Sequence, residues 1–493
     1  MWIEEELQKD SAGIRRAIHA LTRDYHKQLP RSIRSRLPDN KDTTNDFIDH
    51  FYDRLRNAEF SVYQTMTAGA DAADAADADD EPRRPAFQLT EIKNSANDLP
   101  HPRILSELQR AYDMRRRGGG GGGDDGDDDR YIPYKVYAHI REKSEYCIQF
   151  QSTIHGRAIT LYFITFPESH IAICNKKRIG SSSAADSVCA SEIAVYQLYA
   201  YKVFIWLSLV TSLADKECSE KSLHVYFYMT PFKKQRPVDD AILSAIHVNT
   251  GLTRNCETHG EIVVYRAEEW FKVFVHESMH NFNMDFIDLD LKSANEQLRR
   301  TFCIPHDDIL LFETYTETWA RIINTMFDTY FQADGAAVSR THFIRAVREK
   351  LADNAMFYAY QVVKVLDIME MKYAHITVQT AENTEVCRKR YAEDTNVYAY
   401  YILGGILSVY ALPFISWCCA HNRSGGGGGG IGAVRFSQST NNLAHFVEFV
   451  ANSARDPVLL SMISFIENTS SSSSAHSNPA AVVKNTMRMT VES

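Results

Sequence analysis

The chain has 493 residues, 44% of them hydrophobic and 24% charged, with a formal net charge of −9. This length can bury a sizeable core and predicts more than one domain or lobe, while the acidic balance argues against a nucleic-acid partner. The nine cysteines are scattered without a Cys-x-x-Cys pair, which predicts reduced thiols and no disulfide framework. Because the first residues, MWIEEELQKD, lack the apolar segment of a secretory signal, we expect an intracellular, cytoplasmic protein.

The first 130 residues divide into two parts of different composition. Residues 1–66 are rich in charged residues and predict an N-terminal helical region. Residues 67–130 hold two acidic low-complexity runs, AGADAADAADADDEP and GGGGGGDDGDDD, on either side of a short helical piece, PRILSELQRAYDMRRR. Such runs cannot bury apolar surface, so we interpret 67–130 as linkers that flank this helix.

Residues 131–267 are expected to form a β-rich lobe. The segments KVYAHI, YCIQFQSTI, AITLYFITF and HIAICN alternate polar and apolar residues or run apolar between turn signals, as strands do. An apolar helix, SEIAVYQLYAYKVFIWLSLVTSL, follows them. Two further strands, LHVYFYMTPF and EIVVYR, complete the predicted lobe.

After Tyr265 the apolar residues take helical spacing, which predicts a helical lobe over 268–467 and leaves 468–493 as a disordered tail. Strands first and helices after predict an α+β fold: a mixed β-sheet lobe, then a mostly helical lobe, with the helix AEEWFKVFVHESMHNF between them. Within the helical lobe, the uncharged segment Tyr400–Ala420 is long enough to cross a bilayer. Its Gly pair, its Pro413 and its polar residues favour a buried helix broken near the proline, so a membrane contact is not expected.

The segment Val273–Phe286 reads VFVHESMHNFNMDF and contains His276, Glu277 and His280 in the order His-Glu-x-x-His. On a helix the two histidines share one face, one turn apart, and can bind one Zn²⁺ ion. Glu277 is then placed to act as the general base that takes a proton from water at the metal. The spacing on a predicted helix, directly after a predicted strand, therefore indicates a catalytic metal site.

A catalytic zinc site needs a third protein ligand. The downstream segment LFETYTETWARIIN offers Glu313 and Glu317, four residues apart on one helical face among large apolar neighbours. Acids on a mostly buried helix need partners, and a metal site supplies one. One carboxylate could bind the metal while the other fixes the orientation of a ligand histidine.

These two motifs resemble those of zincin metallopeptidases of the gluzincin type, in which His-Glu-x-x-His is followed by a helix that carries a glutamate ligand. The resemblance covers about Val263–Asn324 and implies a zincin-like fold, with His276, His280 and Glu313 as zinc ligands and Glu317 beside them. A competing alignment makes Glu317 the ligand; we prefer Glu313, because an acid follows it at i+4 whereas Arg321 follows Glu317. The homopolymer runs and the motif pair also resemble metallopeptidase-like proteins of large DNA viruses, which would imply a host cytoplasm or virion location.

The gap between the motifs is longer than in thermolysin-like enzymes, so DFIDLDLKSANEQLRRTFCIPHDD is expected to be an insertion, in which His306 could be a rival ligand or a substrate contact. The resemblance also implies an oxyanion stabiliser, for which Tyr315 and Tyr401 are candidates, and an edge strand that pairs with substrate, for which EIVVYR or LHVYFYMT is a candidate. We therefore expect a zinc-dependent metallopeptidase that acts on protein or peptide substrates. The alternative is a catalytically silent zincin-fold structural or interaction protein; the retained Glu277 argues against it.

Overall fold

The computed structural model describes most of the chain. The predicted strand HIAICN and His306 lie outside the described residues. Those residues are 2–28, 41–67, 87–91, 100–107, 131–166, 183–238, 242–303, 309–332, 338–422, 430–471 and 481–492.

The described residues form an α+β fold that contains one mixed sheet and is mostly helical. The strands are β1 (Phe87–Glu91), β2 (Tyr146–Ile154), β3 (Arg157–Thr165), β4 (Ser222–Tyr228), β5 (Gly251–Thr253) and β6 (His259–Val264). The helices are α1 (Trp2–Gln28), α2 (Lys41–Thr67), α3 (Tyr134–Lys143), α4 (Ser183–Val210), α5 (Ala245–Val248), α6 (Trp270–Asn281), α7 (Lys292–Arg299), α8 (Leu311–Phe331), α9 (Arg340–Ile368), α10 (Tyr373–Thr377), α11 (Ala381–Arg390), a π-helix (Tyr398–Leu403), α12 (Gly404–Val409), α13 (Ala411–His421), a 3₁₀-helix (Ile431–Val434), α14 (Thr440–Ala454), α15 (Pro457–Ser471) and α16 (Ala481–Asn485).

The chain divides into two compact units. The first comprises Met1–Leu7, Asp53–Lys233 and Asn249–Met284; the second comprises Gln8–Tyr52, Lys234–Val248 and Asp285–Ser493. Helix α6 belongs to the unit that contains the sheet, and the predicted boundary between residues 267 and 268 stays a prediction. All twelve residues of α6 are buried, so this helix is part of a core.

A mixed sheet in the order β1-β2-β3-β4-β6-β5 organises the first unit. Neighbouring strands are parallel from β3 through β4 to β6 and antiparallel elsewhere. Helices α4 and α6 lie against one face of it, where Trp270 packs edge-on against Phe227 with ring centroids 5.4 Å apart. Along each strand the side chains alternate between faces, so Phe227 faces these helices while Tyr226 stacks on Tyr162 on the other face.

The sequence predicted β2 and β3 well, but KVYAHI is not a strand. It lies in α3, where Val136, Tyr137 and Ile140 are the buried residues. Their i, i+1, i+4 spacing is helical, and Pro133 occupies the position before the first turn. A segment as short as KVYAHI fits both the two-residue repeat of a strand and the 3.6-residue repeat of a helix, and in the structure it is helical.

One disulfide corrects the prediction of wholly reduced thiols: Cys218 and Cys256 are bonded across a sequence separation of 38 residues. Cys218 follows α4 and Cys256 follows β5, and both lie in turns of the first unit. Spacing along the chain did not indicate this pair, because the sheet brings the two turns together.

In the second unit the long helices α8 and α9 pack on each other and on α12. The segment predicted as a broken helix is a π-helix with α12, bent by 91° against α13, and the break falls at Tyr410, three residues before Pro413. By length and composition, this bent pair and Ile193–Val210 of α4 pass the test for a membrane span within the described residues. Half of the segment Ile193–Val210 is buried inside the protein.

The segment predicted as a disordered tail, 468–493, contains helical residues. Helix α15 continues to Ser471, and α16 covers Ala481–Asn485. The following residues 486–492 are buried, with Met487 fully enclosed. Lys364 donates to the carbonyl oxygen of Thr486 at 2.5 Å, so this segment has hydrogen-bond partners as well as apolar contacts.

Candidate metal centre

The two histidines of the motif lie one turn apart on α6 and point at the same place. The Nε2 atoms of His276 and His280 are 3.1 Å apart, and both side chains are buried. Two nitrogens on one tetrahedral zinc, each about 2.0–2.1 Å from it, would be about 3.3 Å apart. The separation also suits a hydrogen bond between two neutral rings, so the rings are arranged either to share a proton or to share a cation.

Glu313 completes a group of three possible ligands. One ligand atom from each of His276, His280 and Glu313 lies within 4.8 Å of the others, so this group could hold a metal ion. Two imidazoles and a carboxylate are a donor set that zinc accepts. Among the residues that the structure describes, no other group of three or more histidine, cysteine or acidic side chains has this geometry.

The position of Glu313 follows from local helix chemistry. It lies in the first turn of α8, where a carboxylate is favoured by the helix dipole. Its side chain is half-buried, whereas most of α8 is fully buried. Glu313 is therefore less enclosed than Glu317, as a metal ligand beside an open coordination position would be.

Glu317, one turn further along α8, has a different environment. Its Oε1 accepts a hydrogen bond from Nε of Arg321 at 2.9 Å, and both side chains are almost fully buried. Arg321 also donates to Oγ of Ser408 and to the carbonyl oxygen of Tyr400, each at 2.9 Å. The buried arginine balances the charge of Glu317, which agrees with the choice of Glu313 as the ligand; the predicted contact of Glu317 with a ligand histidine stays a prediction.

Glu277 lies on α6 beside the edge strand of the sheet, β5. A Cβ atom added at Gly251 of β5 would be 2.9 Å from Cγ and 3.0 Å from Oε1 of Glu277. The strand can pass this close because residue 251 is a glycine. The predicted edge strand is thereby corrected: β4 and β6 are interior strands, and the edge beside Glu277 is β5.

Several contacts hold α6 in place within the first unit. Nε1 of Trp206 on α4 donates to Oγ of Ser278 at 2.7 Å. Ser278 directly follows Glu277 in the sequence. The helix begins at Trp270, and Glu269 precedes it with a left-handed backbone (φ 59°). The predicted helix AEEWFKVFVHESMHNF included Glu268 and Glu269; they lie just before the first turn instead, and both are buried.

The two tyrosines predicted as oxyanion stabilisers have their hydroxyl groups engaged elsewhere in the second unit. Tyr315 is fully buried, donates to the carbonyl oxygen of Val434 at 2.9 Å and accepts from Nδ2 of Asn422 at 2.8 Å; burial raises its pKa well above the usual value. Tyr401 is buried and donates to the carbonyl oxygen of Met487. Each hydroxyl donates to a backbone carbonyl here, and the role of either tyrosine as an oxyanion stabiliser stays a prediction.

Comparisons with protein-family models, with curated proteins and with solved structures found no match. The functional assignment therefore depends on the geometry of the site itself. The edge strand β5 and the disulfide are the parts of this region that sequence reasoning missed. A glycine and a cysteine in the loop HVNTGLTRNCETHG were the available signals.

Proposed function

We propose that the protein is a zinc-dependent metallopeptidase. The observation that carries the proposal is the convergence of His276, His280 and Glu313 on one point, with Glu277 next to the first histidine on the same buried helix. In this reading the two imidazoles and the Glu313 carboxylate would hold Zn²⁺. Zinc in such a site supplies a Lewis acid and lowers the pKa of bound water to about 7.

The residues of the chain itself account for the other parts of a hydrolytic mechanism. Glu277 would accept the proton of the attacking water at its carboxylate and then donate it to the leaving amine. Burial keeps bulk water away from this carboxylate, which strengthens its interactions. The contacts of Trp206 with Ser278 would hold the helix so that the carboxylate keeps one orientation.

Substrate would bind as an extended peptide along β5. Among the described residues no strand pairs with the outer edge of β5, so its backbone groups can add another strand. This edge runs so close to Glu277 that a Cβ atom added at Gly251 would lie 2.9 Å from its Cγ. A peptide bond held there would lie beside the proposed general base, which favours a peptide over a small-molecule substrate. A zincin-like fold, as the sequence resemblance implies, is part of this proposal.

Zinc content tests the metal site directly. We expect about one zinc per chain for the wild type and loss of zinc in His280→Ala and Glu313→Gln. Glu317→Gln is the matched control, because it changes an acid on the same helix and should retain zinc. A wild type without zinc would refute the site; retention in Glu313→Gln with loss in Glu317→Gln would move the third ligand by one helical turn.

Peptidase activity tests the chemistry separately. With a mixture of internally quenched peptides as substrate, Glu277→Gln should keep its zinc and lose roughly 10²–10⁴-fold in kcat, the usual contribution of a general base. A wild type that binds zinc but cleaves none of the peptides would contradict the enzyme proposal and favour the silent zincin-fold alternative.

A further inference from the structure

The C-terminal end of α6 is held by the side chain of Asn281, the residue directly after His280. Its Oδ1 accepts from Oγ of Ser219 at 2.7 Å, and its Nδ2 donates to Oγ1 of Thr253 at 3.2 Å. Its backbone oxygen accepts from the amide of Cys256 at 3.1 Å. The side-chain amide and the backbone oxygen of this buried asparagine are thus directed at two turns outside the helix.

These two turns, residues 215–219 and 253–257, are joined to each other. The disulfide links Cys218 to Cys256, and the amide of Ser219 donates to the carbonyl oxygen of Glu257 at 2.7 Å. Ser219 (φ 51°) and Cys256 (φ 47°) both have left-handed backbones, a conformation that is unfavourable for residues other than glycine. A covalent link between the turns helps to keep both residues in this conformation.

The contact between Ser219 and Asn281 is tightly packed against Gly260 of β6. A Cβ atom added at Gly260 of β6 would lie 1.9 Å from Oγ of Ser219 and 3.0 Å from both terminal atoms of the Asn281 side chain. The turn, the end of the helix and strand β6 therefore pack directly on one another. A shift of the turn would be passed on to Asn281 and to the neighbouring His280.

We infer that the Cys218–Cys256 disulfide and Asn281 form a clamp that positions His280, so that reduction of the disulfide weakens metal binding. The metal part of this inference rests on the proposed function; the clamp itself does not. Asn281 and the two cysteines are positioning residues, because they act through the helix and not on a substrate.

Opening the clamp requires a reductant, for which a small dithiol suffices. A thiolate of the dithiol attacks Sγ of Cys256, which is half-buried, while Cys218 is fully buried. The S–S bond breaks, Cys218 leaves as a thiolate and takes a proton, and a mixed disulfide remains on Cys256. The second thiol of the dithiol then releases Cys256 as a thiol and closes the dithiol's own disulfide, so two electrons pass to the protein.

The first test compares zinc affinity of the full-length chain before and after reduction, with the dithiol removed and air excluded, by competition with a chromophoric chelator. We expect at least tenfold weaker binding after reduction. The double variant Cys218→Ala/Cys256→Ala should bind at the weaker level under both conditions. Cys303→Ala, which removes a cysteine outside the disulfide, is the matched control and should respond to reduction as the wild type does. Equal affinities of oxidised and reduced wild type would overturn the inference.

A second test needs no metal and keeps failure of the clamp distinct from failure of the proposed function. The amides of Phe282, Asn283 and Met284 bond back to Ser278, His280 and Met279 at the end of the helix. We expect their hydrogen exchange to become at least tenfold faster on reduction, and likewise in oxidised Asn281→Ala. Unchanged exchange, or a purified chain in which all nine cysteines titrate as thiols, would overturn the clamp. Faster exchange in a chain that binds no zinc would refute the metal site and leave the clamp standing.

Discussion

Gly251→Ala should damage the general base while sparing the metal. The new Cβ would lie 2.7 Å from Cγ1 of Val273 and 2.9 Å from Cγ of Glu277. Carbon atoms in contact are normally about 3.5–4.0 Å apart, so β5 or the Glu277 side chain must move by about 1 Å. Overpacking of this kind typically costs about 1–3 kcal/mol of stability. A displacement of about 1 Å at a catalytic group can cost about 10²-fold in rate.

Three measurements check this reasoning on the same variant. Urea unfolding should show the loss of stability, the zinc content should stay near that of the wild type, and kcat/KM on the quenched peptides should fall by about two orders of magnitude. Zinc is expected to remain because the three atoms nearest to the added Cβ belong to Val273 and Glu277 and to neither histidine. Gly432→Ala is the matched control, since nothing lies within 4 Å of the added atom there. Wild-type stability and activity in Gly251→Ala would refute the close approach of β5 to the general base.

Three further predictions concern the second unit. Burial raises the pKa of Glu393 from 4.5 to about 7, so folding favours its protonated form; its contribution, about 3 kcal/mol, is full below pH 4.5 and is lost as pH rises through about 7. The free energy of unfolding, measured with urea at pH 5 and pH 8, should fall by this amount in the wild type but not in Glu393→Gln. An equal change between the two pH values in both proteins would contradict the prediction. Glu317→Ala leaves Arg321 buried without its carboxylate and should lower the free energy of unfolding by about 3–5 kcal/mol, whereas wild-type stability would mean that the pair is not buried. Removal of residues 481–493 should lower the melting temperature, because it exposes buried methionines and takes away the carbonyl partner of Lys364; an unchanged melting temperature would restore the disordered-tail interpretation.

Local patterns predicted the elements whose own residues decide their conformation. The strands YCIQFQSTI and AITLYFITF became β2 and β3 because their alternation matches a sheet with two different faces. The helix with the His-Glu-x-x-His motif and the helix with Glu313 were also predicted, because residues four apart share one face of a helix. The choice of Glu313 over Glu317 depended on Arg321, and its ion pair with Glu317 agrees with that choice.

What the sequence did not determine were the contacts between segments far apart in the chain. Which strand forms the edge, which cysteines bond and which carbonyl a tyrosine hydroxyl meets are set by the packing of whole elements. Thus β5, only three residues long, had no periodicity to detect, and Tyr315 and Tyr401 were two among 25 tyrosines. By itself the sequence determined the chemistry that α6 can present; the tertiary structure decided which groups surround it, because burial and distance are properties of the folded chain and not of its local spacing.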